Sequence, residues 1–231
     1  MTIKAVLFDF SGTLFRIEST ESWLRAASDA TGLALPDGEF ERAVARLDEI
    51  GALPGGSTHH VAAPAHLDGL MAVRDVDAES HRAAYTGLFR EVPLPDDRLY
   101  GALYDRHMTP EAWRPYADAL DVVAALHERG VPVGVVSNIG WDLRPVFVEH
   151  GLDPYIGTYV MSYRHGVQKP DARLFTAACE ELGVAPADTL MVGDDRRADA
   201  GAADIGCAVR FVDHLPLDQR PDALRPLLDL L

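Results

Sequence analysis

Apolar and polar positions follow two regimes along this chain. In the first, five short apolar runs have the density of strands buried on both faces: Ile3 to Phe10, Pro132 to Ser137, Tyr159 to Ser162, Thr189 to Val192 and Ala208 to Val212. Helical periodicity fills the gaps between the later runs. Ala119, Val122, Val123 and Leu126 recur at helical spacing until Gly130 ends the turn, and Leu174, Phe175, Ala178, Cys179 and Leu182 do so until Gly183. A short alanine-rich stretch, Ala200 to Ile205, leads to Gly206. Strands alternating with helices of this size predict an α/β fold built on a Rossmann-like, doubly wound parallel sheet.

In the second regime, from about Arg16 to Glu111, strand signals vanish. Trp23, Leu24, Ala27 and Ala30 form one helical stripe, Phe40, Val44, Leu47 and Ile50 a second, and Tyr85, Leu88 and Phe89 belong to a third. The pattern predicts an α/β core of residues 1–15 and 112–231 with a helical domain, residues 16–111, inserted after the first strand. Leu53 to Pro64, with Gly55-Gly56-Ser57 and His59-His60, reads as its most mobile loop. Leu215 to Leu231 reads either as a C-terminal helix on the core or as a partner surface, so the oligomeric state stays open.

Composition narrows the function. At 231 residues with 48% apolar content the chain can bury a sizeable core, and a formal net charge of −15 argues against nucleic acid or an anionic membrane as partner. A local positive pocket for an anionic substrate remains compatible with that charge. The two cysteines, Cys179 and Cys207, have no metal-type spacing and read as small buried hydrophobes. Met1 leads directly into a strand, with no signal peptide and no apolar run long enough to span a bilayer, which predicts a cytoplasmic protein.

Four polar segments each follow or adjoin a predicted strand. They are Asp9 to Thr13, with Ser11 and Gly12 between; Ser137-Asn138; Lys169-Pro170-Asp171 at a helix entrance; and Gly193-Asp194-Asp195 with Asp199. In a parallel sheet all four gather at the carboxyl edge, where such folds bind ligands. Clustered carboxylates repel unless a cation holds them, and oxygen-only ligands suit Mg²⁺. Lys169 and the metal can neutralise a phosphoryl group, donors near Ser137 and Asn138 can orient it, and Asp9 can attack phosphorus.

In this order and spacing, Asp9-x-x-Gly12-Thr13-Leu14, Val135-Val136-Ser137-Asn138, Lys169-Pro170-Asp171 and Val192-Gly193-Asp194 with Asp199 resemble the haloacid dehalogenase superfamily, in the branch with a helical cap after the first strand. The resemblance implies Asp9 as nucleophile and Mg²⁺ ligand, the backbone carbonyl of Ser11 as a second ligand and Asp194 as a third. It implies Asp195 or Asp199 holding metal-bound water or Lys169. Ser137 and Asn138 would contact the phosphoryl group, and Gly12 and Thr13 would join them in binding substrate, with Thr13 bracing the loop. Independently of the resemblance, Trp141, just after Ser137-Asn138, is placed to line the pocket. The implied substrate is a small phosphorylated metabolite.

Position 11 departs from the family. Its phosphatases usually carry an aspartate there that protonates the leaving oxygen and then activates water; a serine hydroxyl titrates far above neutral pH and does neither well. Three routes around this are open: a leaving group that needs no proton, an acid from the inserted helices (His59, His60, His66, His81 or His107), or a protein that binds phosphorylated ligands and turns them over slowly. Any one of these histidines reads first as solvated or structural, and Arg25, Arg42, Arg46 and Arg74 as solvated helix faces with one able to reach an anionic substrate. Trp23 and Trp113 read as core or hinge. A 2-haloacid dehalogenase is the remaining alternative, opposed by the acidic Gly-Asp-Asp set and by the absence of the tyrosine those relatives carry at position 11.

Overall fold

The computed structural model describes residues 3–56 and 61–230; His59 and His60 lie outside the described residues. The chain runs β1 (Ala5–Phe8), β2 (Phe15–Ile17), α1 (Thr20–Thr31), α2 (Asp37–Glu49), α3 (Asp68–Ala72), α4 (Ala78–Phe89), α5 (Arg98–His107), β3 (Trp113–Pro115), α6 (Ala119–Glu128), β4 (Val133–Ser137), α7 (Arg144–Glu149), β5 (Thr158–Met161), α8 (Ser162–His165), α9 (Ala172–Leu182), β6 (Thr189–Gly193) and β7 (Ala208–Phe211), with 3-10 turns between several of them. The five predicted apolar runs form one sheet in the order β5-β4-β1-β6-β7. Every pairing in it is parallel. All residues of β1, β4 and β6 are buried, as expected of strands covered on both faces.

The order places β1 centrally, with β4 on one side and β6 on the other, so the winding reverses at β1. Crevices at such reversals open at the carboxyl ends of the strands. β1 is shorter than its apolar run because the chain turns at Asp9. Phe10 then points inward, its ring 4.5 Å from Trp113 and 5.2 Å from Phe15 between centroids. Burying a ring of this size is worth roughly 1.5–3 kcal/mol, so Phe10 anchors the turn that carries the polar residues on either side of it.

Five helices lie between β2 and β3. Ser19 caps α1 by accepting the Ser22 N–H at 3.2 Å, and Gly32 ends it in the left-handed region. The buried face of α1 takes in Ser28 rather than the predicted Ala30, because the Ser28 hydroxyl donates to the Leu24 carbonyl at 2.9 Å and needs no water. Trp23 packs against Phe89 and donates its indole N–H to the Leu103 carbonyl at 2.8 Å, joining α1, α4 and α5.

Two differences from the sequence reading stand out. Strand structure does not end at residue 15: Phe15–Ile17 pairs antiparallel with Trp113–Pro115, one ribbon at the point where the helical segment leaves and rejoins the chain. Three-residue strands are too short to announce themselves by alternation. The tail forms no α-helix; it makes 3-10 turns at Leu217–Gln219 and Arg225–Leu230, with Leu224 and Leu227 buried. Pro216, Pro221 and Pro226 break helical hydrogen bonding there. Asp118 accepts the backbone N–H groups of Leu224 and Arg225 and ties this tail to the start of α6. Among the described residues, no helix is long and apolar enough to cross a membrane.

Candidate functional site

Five segments meet at the carboxyl edge of the sheet. Asp9 follows β1, its backbone N–H bonded to the Val192 carbonyl of β6 at 2.9 Å. Ser137 closes β4 and is buried, with Asn138 next to it. Lys169 precedes α9, Asp194 to Asp199 follow β6, and His214 follows β7.

Lys169 is the hub. Its ammonium donates to Asp9 Oδ1 at 2.7 Å and to Asp199 Oδ1 at 2.6 Å, and all three side chains are largely buried. Burial works against that charge, but Asp199 and Asp9 outweigh it and hold Lys169 above its ordinary value. Asp9 is pushed well above the usual carboxylate range by burial; Lys169 opposes this, while Asp199 and Asp194 add to it. Burial raises Asp199 as well. Burial also pushes on Asp194, but the His214 hydrogen bond and charge, with Lys169, hold it below its ordinary value. Two carboxylates thus share one ammonium with a third close by, and burial shifts Asp9 and Asp199 toward their protonated forms, a shift that a further cation would oppose.

Oxygens of Asp9, Asp194 and Asp199 lie within 4.8 Å of one another. An all-carboxylate set of this size, left short of positive charge, fits a hard divalent ion such as Mg²⁺. Asp199 has prior engagements: besides Lys169 it accepts the Asp195 N–H at 3.0 Å. Asp9 and Asp194 are therefore the better placed pair for an ion, with Asp199 holding Lys169.

Gly12 and Thr13 shape the loop below this cluster. Gly12 sits at φ +78, and a Cβ there would collide with Asp194 and His214. Thr13 donates from Oγ1 to Asp194 Oδ1 at 3.3 Å. Arg220, stacked on Tyr116 with 3.2 Å from guanidinium carbon to ring centroid, donates to the Gly12 and Thr13 carbonyls and fixes the loop from outside. Ser11 is placed with its hydroxyl buried against Gly55 and without a hydrogen-bond partner among the described residues.

Some predicted site residues sit differently. The Asn138 side chain is committed to the Lys169 backbone, accepting its N–H at 2.6 Å and donating to its carbonyl at 3.1 Å; it orients the lysine. Asp195 is exposed, and its carboxylate accepts the Arg197 and Ala198 N–H groups at 2.8 and 2.9 Å, capping the next turn instead of joining the three acids. Trp141 is buried edge-on to Phe10 at 6.3 Å between centroids, packed into the core behind the cavity wall that Trp113 and Ile139 provide.

The cavity above Asp9 measures about 290 Å³. Ser11, Ser137, Lys169 and Asp194 line its floor; Arg74, Asp75, His81, Tyr85 and His107 line it from the helical side. Of the histidines considered, His66 is exposed and paired with Glu91, whereas His81 and His107 are buried at this cavity. Arg74 reaches the cavity too.

Sequence reasoning passed over His214, Arg16 and Asp75. His214 Nδ1 lies 2.8 Å from Asp194 Oδ2. Arg16 contacts His214 Nε2 and donates to the Gly55 and Gly56 carbonyls, joining the acid cluster to the loop that covers Ser11. The signal for His214 was available: it stands just past the fifth strand, at the same edge as the four segments singled out. No comparable signal marked Asp75, whose position depends on the packing of the helical segment.

A family model for haloacid dehalogenase-like hydrolases matches residues 3–204. The chain is 30% identical to a glyceraldehyde 3-phosphate phosphatase from Methanopyrus kandleri, over 83% of this chain and 76% of that one. It spans about half the length of several further curated relatives that it matches. Among solved structures, it resembles the magnesium-bound HAD-hydrolase YfnB of Bacillus subtilis, with TM-score 0.69 and 18% identity over 100% of this chain and 99% of that one. It also resembles the L-2-haloacid dehalogenase of Xanthobacter autotrophicus with chloropropionic acid covalently bound, with TM-score 0.64 and 25% identity over 94% of this chain and 80% of that one.

Proposed function

This chain belongs to the haloacid dehalogenase-like hydrolases, and from that premise we propose that it is a Mg²⁺-dependent phosphatase of a small phosphorylated metabolite, acting through an aspartyl-phosphate on Asp9. The observation that carries this reading is the charge balance around Asp9: one buried lysine against three converging carboxylates, a set that calls for a divalent cation.

In this reading Asp9 and Asp194, with the Ser11 carbonyl, hold the ion, which neutralises charge on the carboxylates and on the bound phosphoryl oxygens. Lys169 orients Asp9 and, together with the ion, favours its charged form for attack at phosphorus. Ser137 faces the phosphoryl oxygens from the end of β4, while Asn138 fixes the backbone on which Lys169 rides. Residues 1–15 and 112–231 form the core, and residues 16–111 act as a cap whose inner wall meets the alcohol being released. The cavity, about 290 Å³, sits at the low end of the range for ligand sites and suits a small ester.

The test is phosphate release from a panel of small phosphate esters and p-nitrophenyl phosphate, with Mg²⁺ and with EDTA. Release that requires Mg²⁺ is the expected result; chloride release from 2-chloropropionate without metal would favour the dehalogenase. The proton-poor side chain at position 11 favours a second reading, a slow phospho-ligand-binding protein, and absence of release from every compound would support it.

Metal binding also has a pH signature. A carboxyl whose folded-state pKa is raised binds more protons folded than unfolded, so its contribution to stability falls as pH climbs from the unfolded value of about 4 through the folded one. Asp9 and Asp199 are both raised. A bound cation reverses that penalty and competes with the protons that these carboxyls bind. The rise in melting temperature on adding Mg²⁺ is therefore expected to be larger at pH 8 than at pH 5.5; an equal or smaller rise at pH 8 would contradict the assignment of this cluster to the ion.

A further inference from the structure

Ser11 offers no group that can hand a proton to a leaving oxygen near neutral pH, and most other titratable groups around the cavity are committed elsewhere. His81 is engaged through Nδ1 with the Tyr104 hydroxyl at 2.7 Å, and burial lowers it to about 3, away from the range suited to donating a proton near neutral pH. Burial holds His107 well below its ordinary value as well. His214 is occupied on both ring nitrogens, by Asp194 and Arg16, and the Asp195 carboxylate caps its own turn.

Asp75, between α3 and α4, is different. It is 3% exposed, lines the same cavity as Asp9, and no donor among the described residues makes a hydrogen bond to its carboxylate. Arg74 Nε lies at 3.3 Å but is misaligned, and His81 Nε2 lies at 3.6 Å. Burial without an aligned donor shifts a carboxyl toward its protonated form, and the neighbouring Arg74 charge opposes that shift. Burial accordingly raises Asp75, with Arg74 and Lys169 pulling the other way. The backbone around it is pinned to the core from both sides. Its N–H donates to Gln168 Oε1 at 2.7 Å, next to Lys169, and its carbonyl accepts from the Ser162 hydroxyl at 2.6 Å, which also receives the Ile139 N–H. These ties hold a helical-segment carboxyl at the wall of the cavity that Asp9 also lines, rather than leaving it on a loop free to drift.

Resting on the phosphatase reading, we propose that Asp75 is a catalytic residue, the acid and base that Ser11 cannot be. As Asp9 attacks phosphorus and the ester P–O bond breaks, the Asp75 carboxyl gives its proton to the departing alkoxide, releasing the alcohol. The Asp75 carboxylate then takes a proton from water as that water attacks the aspartyl-phosphate. The P–O bond to Asp9 breaks, inorganic phosphate leaves, and both side chains return to their starting forms.

Asp75→Asn, close in shape and unable to transfer the proton, is the direct test, read on an alkyl phosphate and on p-nitrophenyl phosphate, whose phenolate leaves without help. Expected are a fall in kcat of roughly 10²–10⁴-fold on the alkyl ester and, on the aryl ester, a retained first-turnover burst of p-nitrophenol followed by slow steady release. Equal losses in both first turnovers, or unchanged turnover, would overturn the proposal. A second measurement needs no variant: the wild-type rate of the first step should depend weakly on the basicity of the leaving alcohol, and a steep dependence would overturn it equally. If wild type with Mg²⁺ releases phosphate and these results fail, the proposal alone falls; if wild type releases none, the phosphatase reading falls and takes it along.

Discussion

Asp9→Asn is expected to bring phosphate release down to background, a loss of about 10⁴-fold or more, while leaving the protein folded. The substitution keeps the shape of the side chain and removes its ability to attack. Lys169 keeps its partner Asp199, 2.6 Å away and fully buried, so the ion pair behind the site survives. Stability without metal should hold or rise, because the variant no longer buries a carboxyl whose charged form is disfavoured there. Stabilisation by Mg²⁺ should shrink, since one of the converging oxygens is lost. Turnover and thermal unfolding with and without Mg²⁺ measure both effects, and substantial remaining turnover would remove Asp9 from the role of nucleophile.

Lys169→Met has the opposite pattern, with a large effect on folding as well as on activity. Lys169 is the ammonium that bridges Asp9 and Asp199. Removing one member of a buried ion pair leaves an uncompensated charge, at a cost of about 3–5 kcal/mol. For a chain of this length each kcal/mol lowers the melting temperature by roughly 2–4 °C, so a fall of about 6–20 °C is expected. Mg²⁺ should restore part of it by supplying the missing positive charge. A melting temperature within about 2 °C of wild type would mean that the two carboxylates simply hold protons and that the bridge contributes little.

Much of this was legible in the sequence because it depended on local pattern. Five short apolar runs became five parallel strands, the last (β7) only half-buried at the sheet edge, and Lys169, Asp171 and Gly183 bracketed α9 as their residue types suggest. The meeting of Asp9, Lys169, Asp194 and Asp199 followed from strand direction alone: parallel strands put their carboxyl ends at one edge, and each residue stood just beyond or beside such an end.

What stayed hidden depended on where a side chain turns after its backbone is placed. Asp195 and Asp199 are equivalent by spacing, yet one caps a turn in solvent and the other is buried against Lys169. Trp141 stands three residues past Asn138 but packs toward Phe10, because the aromatic cluster beneath the turn offers more contact than the cavity wall. The helical side was least legible. Its stripes fix which faces pack inward, but not that the Val73–Asp77 connection would be pulled onto the core through Gln168 and Ser162.

The β2–β3 ribbon has a further consequence. Ile17 and Trp113 face each other across one ladder, so the helical segment departs from and returns to adjacent points of the core. To the core it is a very long loop whose ends are already joined, and the entropy of closing a loop grows only with the logarithm of its length. As far as chain entropy is concerned, material can therefore be lengthened or shortened beyond that clasp at little cost to the sheet. Such a root is a grafting point: a foreign helical segment spliced between Ile17 and Trp113 would inherit the acid cluster intact and bring its own leaving-group chemistry.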